Sequence, residues 1–399
     1  IGARARGAGA SVPPPAVVLD LGRPAGERWA GAVQAVLDQH PWDYSFGPVF
    51  EAHNNTLFSK LLPSHWALLG GAVRKHWPET AAELGSIARQ LTSAGHFISF
   101  EYLAGWLYFH ELAHADFNTG GDSNRECTGV VAQADDGSVL QVANMDQTPV
   151  AVRNLTLRVR AVDEQGATVF EGVDWYTLLS TGVSRAVRKG FVSAQENWRK
   201  ASRPLDAVLG DIEEGVVSQM LVFRQQMEAA HRAALAGAPP SFRDFVNATS
   251  RLRLAAPFYI VAAGPLAGEG VVITRGLRGA DHVADLGQAG DLAAPGDYFL
   301  AQSNYDRWRP DNPDDPRRTA AELLMRRLGR AEGSTALGLM AVASTFPVHN
   351  PSTAYTAVMS AATGELHAFV REASCPLDLD ATIARQTRYC RRVSGSIFV

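Results

Sequence analysis

Cys127 opens a strand-like run, Thr128-Gly129-Val130-Val131-Ala132-Gln133, directly after a polar segment, residues 118–126, whose composition suits exposure and cutting. If the bond after Glu126 breaks, Cys127 gains an α-amino group with an ordinary pKa near ~7.7, placed to act as a base beside its own thiol. The same thiol can make the cut. Attack on the Glu126 carbonyl gives a thioester, which water resolves into two chains. A lone cysteine is more often an inert buried side chain, so this chemistry needs partners elsewhere in the sequence.

His110-Glu111-Leu112-Ala113-His114 is a literal HExxH. On a helix it places two imidazoles on one face, with Glu111 as general base, and so carries a zinc-peptidase alternative. Against it, Phe117 stands where a metzincin has its glycine, and no matching third histidine follows. The plainer reading is the polar end of a packed helix, since residues 97–109 are apolar and aromatic. Among them Phe97, Phe100, Tyr102, Trp106, Leu107 and Tyr108 read as core, or as a greasy patch that touches a lipid surface transiently. Ser180-Thr181-Gly182 and the segment from Gly264 to Gly268 read as turns, because neither has the spacing of a phosphate loop.

The chain has 399 residues, 46% hydrophobic, and a net charge of −4, enough apolar content for a sizeable core. That charge, without a basic cluster, excludes a nucleic-acid partner on electrostatic grounds. No apolar run is long enough to span a bilayer. The first residue is Ile1, which suggests a processed or truncated start, a removed signal peptide being one such processing. Asn54, Asn154 and Asn247 begin glycosylation acceptors, while Pro351 spoils the one at Asn350. Of the three cysteines, Cys375 and Cys390 suit a disulfide in an oxidising compartment, which leaves Cys127 as the odd thiol.

Residues 1–15 read as a flexible lead-in, and residues 28–114 as mainly helical, with Pro78 suited to a first helical turn. The period then changes. Residues 128–133 and 139–143 flank the turn-forming Asp135-Asp136-Gly137, and residues 154–161 alternate before a turn at Gly166 and a further run over 167–171, all read as one antiparallel sheet. Helices are expected over 206–236 and 241–254, the second capped by Ser241, and strands over 258–263, 270–275, 353–360 and 366–371. This order suggests an α+β fold of sheets covered by helices.

Four stretches together resemble the N-acylethanolamine acid amidase and acid ceramidase family, relatives of the choloylglycine hydrolases. They are Cys127 to Gln133 with Asn144-Met145-Asp146; Tyr259 to Gly264 with Glu269 to Arg275; Ser303-Asn304-Tyr305-Asp306-Arg307-Trp308 with Asp314 to Thr319; and Pro347-Val348-His349-Asn350 with Thr356 to Met359. The resemblance spans nearly all of residues 127–371. It implies a four-layer αββα N-terminal nucleophile sandwich over residues 127–399, with residues 1–126 as a helical α subunit that stays bound after cleavage between Glu126 and Cys127. Both chains would come from one precursor.

The resemblance further implies Cys127 as nucleophile, Asp146 as the carboxylate that holds its new amino group, Asn304 as oxyanion donor and Arg317 as the remaining polar site residue. No cofactor or metal is implied. The substrates would be lipophilic amides, N-acylethanolamines or ceramide, and the location lysosomal or secreted. One position departs from the pattern: the family has arginine three residues before the aspartate, and here that residue is Ala143. Its absence predicts a less acidic thiol and raises an alternative, a lipid-binding fold with impaired turnover. Arg125 and Arg153 are the substitutes nearest in sequence.

Overall fold

The computed structural model describes residues 13–116, 127–288 and 297–371; Glu126, Arg125, Cys375 and Cys390 lie outside them. Its strands are β1 (Ala16–Asp20), β2 (Thr128–Gln133), β3 (Val139–Asp146), β4 (Leu157–Val162), β5 (Thr168–Asp174), β6 (Arg185–Arg188) and β7 (Val192–Trp198). They continue with β8 (Phe258–Ala263), β9 (Gly270–Arg275), β10 (Ala280–Asp285), β11 (Phe299–Gln302), β12 (Thr353–Ser360) and β13 (Glu365–Val370). The helices before Cys127 are α1 (Ala32–Leu37), α2 (Phe46–Thr56), α3 (Pro63–His76), α4 (Pro78–Ser93), α5 (Phe100–Leu107) and α6 (Phe109–Ala113). After it come α7 (Thr177–Ser180), α8 (Leu205–Glu213), α9 (Gln219–Leu235), α10 (Phe242–Arg251), α11 (Arg317–Gly333) and α12 (Ala336–Ala343).

These strands form two sheets where the alternation suggested one. A five-stranded sheet has the order β11-β2-β3-β12-β13, and an eight-stranded sheet the order β1-β4-β5-β6-β7-β8-β9-β10. The expected single sheet fails between β3 and β4. Residues 150–155 there form a 3-10 helix that takes the chain from one sheet to the other, so the strand begins only at Leu157. The sheets pack face to face, α11 and α12 cover the five-stranded one, and α9 and α10 lie against the eight-stranded one. This is the four-layer α+β sandwich.

Two further expectations need correction. The helix expected over 206–236 is two helices, α8 and α9, broken at Gly215, whose φ of +80° favours glycine. The segment before Cys127 is not helical alone: β1 joins the eight-stranded sheet parallel to β4, from Ala16 opposite Arg158 to Asp20 opposite Val162.

Local signals fared better. Ser241 caps α10 by accepting from the Asp244 amide at 3.2 Å, while Asp244 accepts from the Ser241 amide at 2.8 Å, a reciprocal capping box. The aromatic run of α5 is core: Trp106 is fully buried, with ring centroids of Phe58 at 5.0 Å and Phe109 at 5.3 Å. Phe97, which precedes the helix, is strongly exposed, at 82%. Among the described residues no helix is long and apolar enough to cross a membrane.

Candidate active site

Cys127 sits just before β2 and is buried, with a φ of +53° that a side chain with a Cβ rarely adopts. Its carbonyl accepts from Arg317 Nη1 at 2.9 Å. Arg317, the first residue of α11, is fully buried and gathers the site around itself. Nη1 also lies 3.2 Å from Asp146 Oδ2, Nη2 donates to Asn304 Oδ1 at 2.8 Å, and Asp315 takes Nε at 2.7 Å and Nη2 at 2.9 Å. The four residues named from the sequence, Cys127, Asp146, Asn304 and Arg317, thus share one hydrogen-bonded cluster.

Backbone register explains why Asp146 is there. β2 pairs with β3 so that Thr128 faces Asn144 and Gly129 faces Ala143, which sets the end of β3 level with the amino-terminal side of Cys127. Asp146 Oδ2 accepts from Asn350 Nδ2 at 2.8 Å, while Oδ1 is buried without a hydrogen bond. Burial raises this carboxyl above its ordinary range, against the pull of Arg317, the Thr353 hydroxyl and Asn350. Asn304 spends one amide N–H on the Trp198 carbonyl at 2.7 Å.

The thiol has its own cation. Arg185, on β6 in the opposite sheet, places Nη2 2.8 Å from Cys127 Sγ. Arg185 is fully buried; its Nη1 donates to Ser184 Oγ at 2.5 Å, and Ser184 in turn donates to Asp174 Oδ2. With alanine at 143, a guanidinium nonetheless stands beside the thiol, and it comes from a position that neither suggested substitute occupies. Arg153, the suggested substitute, binds the carbonyls of Thr353 and Pro351 instead.

The sequence missed Arg185, Ser184, Asp174, Asp315 and the function of Asn350. No local pattern marks Arg185, because its partner lies just before a strand of the other sheet. Asp315 was legible in retrospect: it immediately precedes the Pro316 that opens α11, and a carboxylate two residues before a buried arginine is well placed to pair with it.

The HExxH does not build a metal site. α6 ends at Ala113, so His114 lies past the helix, its ring stacked on Trp198 at 3.7 Å and its Nδ1 at 3.1 Å from the Ala201 carbonyl. Burial drives His114 down to about 3. Glu111 accepts from the Gln219 amide at 2.8 Å at the start of α9, and burial raises it to about 7. His110 faces Glu196 at 3.4 Å. No group of three or more His, Cys, Asp or Glu among the described residues is arranged for a metal. Of the glycosylation acceptors, Asn247 is exposed, whereas Asn54 Oδ1 accepts from the Tyr102 hydroxyl and Asn154 Nδ2 donates to the Tyr44 carbonyl.

No protein-family model matches the chain. It is 31% identical over 264 residues to the N-acylethanolamine-hydrolyzing acid amidase of Oryctolagus cuniculus, covering 65% of this chain and 69% of the relative. It is 32% identical over 136 residues to acid ceramidase of Homo sapiens, 34% of this chain and 32% of that one. Among solved structures it resembles the Caenorhabditis elegans N-acylethanolamine-hydrolyzing acid amidase ortholog, with a TM-score of 0.50 and 28% identity over 59% of this chain and 93% of that chain. By its sequence, its sandwich and these relatives, the chain belongs to the N-acylethanolamine acid amidase and acid ceramidase family and is an amide-hydrolysing enzyme.

Proposed function

We propose that the protein cuts itself between Glu126 and Cys127 and then uses Cys127 to hydrolyse lipophilic N-acyl amides, fatty acid ethanolamides or ceramides, to a fatty acid and an amine. The observation that carries this reading is the setting of Cys127: a strained residue at a strand start, its carbonyl on Arg317 and its thiol on Arg185. A residue held in the left-handed region stores roughly 1–3 kcal/mol, a strain that rearrangement of its peptide bond can release.

In the cut, the Cys127 sulfur attacks the Glu126 carbonyl, the C–S bond forms as the amide C–N bond breaks, and the freed nitrogen takes the proton. Water then splits the thioester into the Glu126 acid and the free thiol. The partner this reading gives the new α-amine is Oδ1 of Asp146, which is buried without a hydrogen bond. In turnover this amine takes the thiol proton, sulfur attacks the substrate carbonyl, the C–N bond breaks as the proton passes to the leaving amine, and water then splits the acyl thioester into the fatty acid and the free thiol. The second N–H of Asn304 is the donor assigned to the oxyanion, a role worth on the order of 2.7–4 kcal/mol in hydrolases generally.

Residues 13–116 are tied to the later chain firmly enough to stay after a cut. β1 is a strand of the large sheet, and buried Glu83 of α4 accepts from Arg224 of α9 at 2.6 and 2.7 Å. The names of the relatives motivate the substrate class, and the exposed Asn247 acceptor fits a lysosomal or secreted location. The test is intact mass and amino-terminal sequencing of purified protein across pH, with Cys127→Ala alongside. The wild type is expected to yield a chain beginning Cys127-Thr128-Gly129 and the variant to keep a single mass. Full amidase activity from an uncut wild-type chain would overturn the self-cleavage.

A further inference from the structure

The inner face of the small sheet has a floor of small residues across three strands. Gly129 of β2 stands opposite Ala143 of β3, which stands opposite Ala357 of β12, and β13 extends the row with Ala368. Residues directly opposite one another in an antiparallel pair share a face. This face looks at the large sheet: a Cβ added to Gly129 would lie 2.4 Å from Gln195 Oε1 of β7. Gln195 and Arg185 are themselves opposite each other, so both long side chains come down from the large sheet onto that floor.

Two residues from Gly129, Ala143 and Ala357 along their chains, and so on the same face, lie Cys127, Met145 and Tyr355. The Arg185 guanidinium reaches this next row, 2.8 Å from Cys127 Sγ and 5.8 Å from the centre of the Tyr355 ring. Its nearest acid, Asp174, is reached through Ser184, and among the described residues no carboxylate oxygen lies within the 4.0 Å of an ion pair. The positive charge is therefore presented to sulfur.

We propose that Arg185 is a catalytic residue that holds the Cys127 thiolate, delivered from the large sheet in place of an arginine on β3, and that Ala143 is small because Arg185 occupies the space above it. This rests on the nucleophile reading of Cys127. An arginine at both positions would crowd two guanidinium groups into one buried layer, where an unpaired charge is costly. On this reading the thiol keeps a guanidinium beside it although residue 143 is alanine. Ser184 and Asp174 position the guanidinium, with burial and the Arg185 charge acting in opposite directions on the Asp174 carboxyl.

The test is the rate of Cys127 alkylation by iodoacetamide against pH, read by peptide mass so that Cys375 and Cys390 are counted separately, in the full chain. An opposite charge at this distance shifts a titration by about 1–3. The wild-type inflection should therefore fall below the usual thiol range near ~8.5. Arg185→Gln should move it upward by at least about one and lower kcat/KM by roughly tenfold to a thousandfold. Arg185→Ala combined with Ala143→Arg should recover part of both losses, whereas Ala143→Arg alone should impair the enzyme.

Should the glutamine variant not fold, Arg185→Lys keeps the charge and is read in the same way. An inflection close to the wild type supports the proposal, and one at the ordinary thiol value overturns it. If wild-type Cys127 is acidic and acylates substrate while Arg185→Gln titrates identically, only the role of Arg185 falls. If the wild type titrates as an ordinary thiol and never acylates, the nucleophile reading falls as well.

Discussion

Two buried arginines flank Cys127, and their surroundings differ in kind. Arg317, on the carbonyl side, is saturated with acid: Asp146 and Asp315 both lie within ion-pair distance, and Asn304 takes a further hydrogen bond. Arg185, on the thiol side, reaches its acid only through a serine and spends Nη2 on sulfur. The contrast separates an arginine that fixes the positions of its neighbours from one that lends charge to a reacting atom. Removing the first leaves two buried carboxylates without a cation, whereas removing the second leaves Asp174 with its Ser184 hydrogen bonds.

The largest effect should come from Arg317→Met, because breaking one side of a buried pair costs about 3–5 kcal/mol. Denaturant unfolding should show a loss of that size, against about 1.5–3 kcal/mol for Arg185→Met, the size of a hydrogen bond made by a charged group. Equal losses would erase the distinction. Arg224 extends the comparison, since it is saturated by Glu83 and Glu228 and belongs with Arg317. Glu83→Gln should cost about 3 kcal/mol, loosening α4 from α9 with little change in the Cys127 alkylation profile.

How far the site was legible follows the same division. Cys127, Asp146, Asn304 and Arg317 were named because each sits in a stretch that resembles the family, and β2 with β3 announced themselves by the turn between them. Arg185 was invisible because its contact joins residues 58 apart on two different sheets, and no spacing encodes how sheets stack. The same blindness put β2 to β5 in one sheet. The HExxH misled in the opposite sense: its letters were present, but α6 stops one residue short of His114 and Glu111 is committed to the first amide of α9.

Asp315→Asn should be milder, about 1.5–3 kcal/mol, the size of a hydrogen bond to a charged group. It should also slow turnover by letting Arg317 drift from the Cys127 carbonyl, read as a fall in kcat at nearly constant KM. The smallest effect concerns Glu111, a buried carboxylate with no arginine to hold it. Its pKa is raised to about 7 by burial. The folded state therefore binds the proton more tightly, and stability is lost as pH rises from about 4.5 through 7. His114, driven down to about 3, acts oppositely, losing stability as pH falls from about 6.5. Glu111→Gln should flatten the loss between pH 5 and 7 in thermal melts and leave the acid-side decline in place.

The central claim is that Cys127 forms the covalent bond to substrate from a newly made amino terminus. The direct measurement is rapid acid quenching of the processed enzyme during turnover of a long-chain N-acylethanolamine, followed by peptide mapping. The expected result is an acyl mass on the peptide beginning at Cys127, with its α-amine free, absent in Cys127→Ala. Turnover with no acyl group on that peptide, or with the label on another residue, would contradict the account.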